Sequence, residues 1–101
     1  MKYLTPEIAQ KTIETFGLQA QLDMVKEEAA ELIVAVSHYK RGRIGREGCL
    51  EEIADLLIVM DQLEHVLGSS DEELETYVQK KLARFKTRLA NGNAYYKPPS
   101  E

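Results

Sequence analysis

The chain is 101 residues long, with 44% hydrophobic, 30% charged and 7% aromatic residues, no Trp and a formal charge of −4. That length allows one domain, and three prolines and six glycines are too few for a turn-rich all-β or disulfide-stapled design. The acidic balance excludes the basic footprint that duplex nucleic acid requires, and no apolar run is long enough for a signal peptide or a membrane span.

The apolar content is too high for a disordered chain, but area scaling predicts that only roughly 65% of the unfolded surface is buried. The core is therefore expected to be small and mostly aliphatic. The single Cys49 cannot form an intramolecular disulfide, which fits a reducing, cytoplasmic setting.

Taken in order, the elements are all helical. Thr5-Pro6-Glu7 supplies a capping hydroxyl, a proline at the first helical position and an acid in the first turn. The first helix is predicted to run to Phe16 and stop at Gly17. A second, over 19–40, carries Leu22, Val25, Leu32, Val36 and Tyr39 on one face. It leads into the basic loop Arg41-Gly42-Arg43-Ile44-Gly45-Arg46. A third helix over 48–67 is closed by Gly68. Ser70-Asp71-Glu72-Glu73 reads as a capping box for a fourth, ending near Asn91-Gly92. The segment Tyr95-Tyr96-Lys97-Pro98-Pro99 is predicted to be extended, because proline cannot continue a helix. This divides the chain into an all-α, four-helix, bundle-like domain over 1–92 and a tail over 93–101, with no internal repeat.

The second and third helices carry acids where apolar residues belong. With Glu28 as the origin of a wheel, Tyr39, Leu32, Val25 and Val36 fall at about 20–80° and Ala35 and Met24 at about −20° and −40°. Glu28 thus points into the apolar arc, Glu31 lies on its edge at about −60°, and Glu27 turns toward the polar side at about −100°. With Glu52 as origin, Leu63, Leu56, Leu67 and Met60 span about 20–80°, Asp55 falls at about −60° and Glu51 at about −100°. Both helices repeat one arrangement. Facing each other, they would bring Glu28, Glu31, Glu52 and Asp55 together.

A lone acid on an apolar stripe is ordinarily an edge residue reaching solvent; two matched pairs at one phase are not explained that way. Four clustered carboxylates must take up protons or a cation. All-oxygen donors suit Mg²⁺, with Mn²⁺ as the alternative, rather than zinc or copper. A di-iron bundle would need Glu-x-x-His on two helices, and neither His38 nor His65 lies three residues after a glutamate.

The fourth helix has an apolar stripe of Leu74, Val78, Leu82, Phe85 and Leu89. Lys81, Arg88 and Arg84 follow one another along its border at about −60°, −80° and −120° from Val78. Long cationic side chains often only snorkel to water; beside a metal–carboxylate cluster they suit a triphosphate-sized anion. The three arginines of the loop add less, since such loops are commonly solvated.

Glu28-Ala29-Ala30-Glu31, a gap of twenty residues, then Glu52-Ile53-Ala54-Asp55 resembles the E-x-x-E…E-x-x-D signature of MazG-like nucleoside triphosphate pyrophosphohydrolases. Lys81 to Arg88 is similar to that family's late K-x-x-x-N-x-x-R helix, except that Phe85 stands at the asparagine position. The resemblance covers roughly residues 20 to 90. Phosphoribosyl-ATP pyrophosphohydrolases share the acids, but their Ser-Tyr-Thr segment has no counterpart here.

The resemblance implies an all-α fold and hydrolysis of the α–β bond of a (deoxy)nucleoside triphosphate, with nucleotide-pool housecleaning as a role. It implies metal binding and catalysis by Glu28, Glu31, Glu52 and Asp55, and phosphate contacts from Lys81 and Arg88, with Arg84 third. Val34 and Ile58 also place apolar surface on the far sides of their helices, at about −120° from Glu28 and Glu52. A homo-oligomer, a dimer or tetramer, is expected to cover it. A non-catalytic interaction module and a nucleotide- or metal-binding sensor are the competing expectations. His38, His65 and Cys49 are expected to be structural or surface residues.

Overall fold

A computed structural model describes residues 1–92, which form four helices and no strand: α1 (Pro6–Phe16), α2 (Leu18–Lys40), α3 (Arg46–Leu67) and α4 (Asp71–Ala90). The expected extended tail lies outside the described residues. None of these helices is long and apolar enough to cross a membrane.

The caps follow the sequence closely. Thr5 Oγ1 accepts the Ile8 N–H at 3.2 Å, with Pro6 beginning α1. A single residue, Gly17, joins α1 to α2, with φ 93 and ψ 153, a conformation only glycine adopts without strain. At the far end of α3, Gly68 enters the left-handed region while Ser69 N–H returns to Glu64 O at 3.2 Å and Gly68 N–H to His65 O at 3.1 Å. These bonds satisfy the last carbonyls of the helix. Ser70 Oγ accepts the Glu73 N–H at 3.1 Å, which opens α4 behind three acids in its first turn.

Two boundaries differ from expectation. Helix α2 begins at Leu18, directly after its glycine. Helix α3 begins at Arg46, so this arginine belongs to the helix rather than to the basic loop; Glu47 in the first turn complements the exposed N–H groups there.

The chain divides into two compact units, Met1–Ser69 and Ser70–Glu101. In the first, α2 and α3 form an antiparallel hairpin. Cys49 Sγ lies 3.7 Å from Ala35 O near the loop, and Glu28 and Glu31 meet Glu52 and Asp55 further along. Polar anchors dock α1 and the segment before it onto α3. Gln62 Nε2 donates to Ala9 O at 2.8 Å, and His65 Nε2 shares a 2.9 Å hydrogen bond with Gln10 Oε1. The Asp61 carboxylate accepts the backbone N–H groups of Lys2, Tyr3 and Leu4 at 3.3, 2.6 and 2.9 Å.

The interior is smaller than the sequence suggests. Among the described residues the only buried hydrophobics are Ala9 and Ala35; Gln21, Asp61 and Gln62 are buried beside them. Val36 and Tyr39, assigned to the apolar face of α2, are 52% and 54% exposed. A two-helix seam covers one narrow stripe on each partner, and α1, at 11 residues, is half as long as α2 or α3. Ile33, Val34 and Ile58, on the outer sides, are exposed as well. In the second unit, the apolar stripe of α4 has no buried member.

Candidate metal centre and its groove

The four acids occupy equivalent places on the hairpin. Each acid of α3 lies 24 residues after its counterpart on α2, Glu52 after Glu28 and Asp55 after Glu31. Antiparallel packing sets Glu28 against the turn bearing Asp55, and Glu31 against that bearing Glu52. One carboxylate oxygen from each of the four lies within 4.8 Å of the other three. Glu28 and Glu52 are half-buried at the seam, while Glu31 and Asp55 are exposed at its edge. Glu27 and Glu51 turn to solvent.

Electrostatics records the crowding. Desolvation raises the Glu28 carboxyl above its ordinary value of 4.5, and the charges of Glu31, Asp55 and Glu52 push it the same way. Desolvation, then Glu31 and Asp55, raise Glu52 likewise. Glu28 Oε2 and Glu52 Oε2 are buried without a hydrogen-bond partner among the described residues. A third such atom, Glu64 Oε1, is about 18 Å further along α3 by helical rise and takes no part in the cluster. Buried carboxylate oxygens facing other carboxylates lack what a cation provides. The donor set fits a hard divalent ion: an octahedral Mg²⁺ shell spans about 4.2 Å, slightly less than the separation found, a difference that side-chain torsions can close.

The cluster lies between two cavities. Ala20, Met24, Glu27, Glu31, Val34 and His38 are spaced by four, three, four, three and four residues, so they form one stripe along α2. The first three line a cavity of about 510 Å³ toward α1, together with Phe16, Gln21 and Val59. The last three line one of about 450 Å³ toward the hairpin loop, together with Ile44 and Glu52. A larger concavity of about 720 Å³ lies in the second unit, lined by residues of α4 alone, from Asp71 to Lys80. It contains none of the clustered acids.

Lys81, Arg84 and Arg88 are spaced i, i+3 and i+7 on α4, within the second unit; the first two are exposed and Arg88 is half-buried. Phe85 follows Lys81 by one turn and is exposed. Of the remaining candidates, His65 bonds Gln10 and Cys49 faces the Ala35 carbonyl.

Gln21 was not among the residues singled out from sequence. Its side chain is buried and lines the α1-side cavity. A signal existed, since at about +20° from Glu28 it sits in the middle of the apolar arc, where a carboxamide is out of place. His38, expected to be a structural or surface residue, lines the loop-side cavity.

Compared with known proteins, the chain matches no family model, no curated protein and no solved structure.

Proposed function

We propose that this chain is a divalent-metal-dependent hydrolase that cleaves the α–β bond of (deoxy)nucleoside triphosphates to monophosphate and pyrophosphate, and that it works as a homo-oligomer. One observation carries the reading: four carboxylate oxygens on two facing helices within 4.8 Å of one another. The resemblance of the two acidic motifs to MazG-like enzymes supports the choice of substrate.

In this reading Glu28, Glu31, Glu52 and Asp55 hold the metal, Mg²⁺ or Mn²⁺. When bound, such an ion neutralises charge on phosphate oxygens and lowers the pKa of water. The half-buried pair, Glu28 and Glu52, fixes the ligand geometry from the seam. The exposed pair, Glu31 and Asp55, leaves the ion open to a substrate arriving from solvent, and one of the glutamates orients or deprotonates the attacking water. Lys81 and Arg88, with Arg84 third, are the residues that the resemblance assigns to phosphate oxygens. Phe85 replaces the amide of the resembled motif with a ring that can only pack. The free thiol of Cys49 supports a cytoplasmic setting.

The outer-face residues Ile33 and Ile58 support assembly. Ile33 is 68% exposed, and several large aliphatic side chains on two adjacent helices left in water favour a second copy.

The test is pyrophosphate release from a panel of common and modified (d)NTPs in Mg²⁺. The expected result is release by the wild type and loss in Glu52→Gln with weakened metal binding. No release from any substrate, with metal affinity unchanged in Glu52→Gln, would overturn the hydrolase. Metal binding without release would favour a sensor.

A further inference from the structure

We propose that α4 pairs antiparallel with the α4 of a second copy of this chain, through the stripe Leu74, Val78, Leu82, Phe85 and Leu89. This contact deepens the assembly reading above by naming a surface and its partner, and it rests on that reading for its strength.

All five stripe residues are exposed, from 37% at Leu82 to 68% at Leu89. Among the described residues of the second unit, α4 is the one helix. An amphipathic helix is held by the surface that covers its apolar face, not by its own propensity. Two properties of α4 select another α4 as that surface.

The first is the order of the apolar residues. Leu74 and Val78 are four apart, as are Phe85 and Leu89, and the two pairs are equidistant from the point between Lys81 and Leu82. The stripe therefore reads nearly the same in both directions. A twofold axis through that point sets Leu74 opposite the partner's Leu89 and Val78 opposite the partner's Phe85, with Leu82 beside the partner's Leu82 at the centre. That is a self-complementary, isologous contact.

The second is charge. All four acids of α4 lie within 71–75 and all five bases within 80–88. A parallel pair sets acid against acid and base against base; an antiparallel pair sets each end against its opposite. On a wheel with Val78 as origin, Glu75 falls at about 60° and Lys86 at about 80°, on one border of the stripe. Gln79 Nε2 donates to Glu75 Oε1 at 2.6 Å, which steadies the carboxylate on that border. The twofold axis brings like borders together, so Glu75 meets the partner's Lys86 to within about 3 Å along the axis, twice per pair. On the other border Lys81 lies near the partner's Lys81, a repulsion that long side chains relieve by reaching water. Two 20-residue helices make a small interface, so the pairing adds to the Ile33 and Ile58 surface rather than replacing it.

The experiment is disulfide trapping in the full chain carrying Cys49→Ser, with single cysteines placed along α4. Leu82→Cys should cross-link to itself. Leu74→Cys alone should not, because antiparallel pairing holds the two copies of that position about 22 Å apart, whereas a mixture of Leu74→Cys with Leu89→Cys should. Ala83→Cys, at about 140° from Val78, is the control off the stripe. Glu75→Lys or Lys86→Glu should slow trapping at Leu82→Cys about tenfold, since each turns two attractions into repulsions. Both changes together should restore it; the two positions are about 16 Å apart on one helix, so only a contact between copies gives rescue. Self-linking of Leu74→Cys, equal trapping at Ala83→Cys or no rescue overturns the antiparallel pair. So does a Leu82→Cys that resists alkylation yet never cross-links, the mark of a stripe covered within its own chain. Should Leu82→Cys lose its helical circular dichroism, the Leu74→Cys and Leu89→Cys mixture decides. A dimeric wild type without trapping removes the α4 contact and leaves the assembly; a monomeric wild type without trapping removes both.

Discussion

Glu28 on α2 and Glu52 on α3 occupy equivalent positions at one seam, and each has a buried Oε2 atom without a hydrogen-bond partner among the described residues. The expected consequence is cation binding that stabilises the fold. At a Mg²⁺ or Mn²⁺ concentration 100 times the dissociation constant, linkage contributes about 2.7 kcal/mol, read as a rise in Tm. Glu28→Gln or Glu52→Gln should weaken Mn²⁺ binding at least about tenfold, because a hard anionic ligand is lost from a shared set. The metal-free variants should be no less stable than the wild type, since each removes a like charge. A fall in metal-free Tm with metal affinity intact would contradict the cluster's role.

The same two carboxyls determine a pH dependence. Their folded values lie above the ordinary 4.5, so between 4.5 and those raised values the native state binds more protons than the unfolded chain. Metal-free stability should therefore increase as pH falls toward 4.5, where the repulsion is fully relieved. Saturating Mg²⁺ should flatten this slope. Urea unfolding across that window, with and without the ion, measures both.

Asp61 has the opposite sign. Burial pushes its carboxyl up, but the N–H groups of Leu4, Tyr3 and Lys2, aided by the N-terminal amine, outweigh burial and hold it below 3.8. Its contribution is present above 3.8 and lost as pH falls through the lower folded value. Asp61→Asn should cost about 1.5–3 kcal/mol at pH 7, the scale of charge-assisted bonds. Urea titrations should find that gap closing below pH 3.8.

Gly17 links α1 to α2 by itself at φ 93, and a Cβ built there meets nothing within 4 Å. Any penalty for Gly17→Ala is thus conformational rather than steric toward neighbours. We expect about 1–3 kcal/mol of destabilisation, with the melting curve shifted and the metal affinity retained.

Assembly is tested from the outer faces. A double variant, Ile33→Lys with Ile58→Lys, should sediment as a monomer with helical content retained, whereas the wild type should sediment as a dimer or larger. A monomeric wild type would remove the homo-oligomer.

Local structure was largely legible. Thr5-Pro6, Gly17, Gly68 and Ser70 mark helix ends because caps are satisfied within a few residues of chain. The phases of Glu28, Glu31, Glu52 and Asp55 were legible for the same reason, since helical periodicity sets direction inside one element. The start of α3 at Arg46 was less so; its cap, Gly45, makes no side-chain hydrogen bond.

Tertiary structure decided everything that depends on which surfaces meet. It brought the four carboxylate oxygens within 4.8 Å, buried Gln21 beside a cavity, and made Asp61 and Gln62 the anchors of the N-terminal segment and α1. It also left Val36 and Tyr39 in solvent. A wheel reports the direction a side chain takes from its own axis; whether water or another helix stands there is settled by packing across the chain. The 101 residues and their charge of −4 thus determined an all-helical chain with acids in phase. The antiparallel hairpin turned that phase into a cluster, because only a second helix can bring the two acid pairs within a few ångströms of each other.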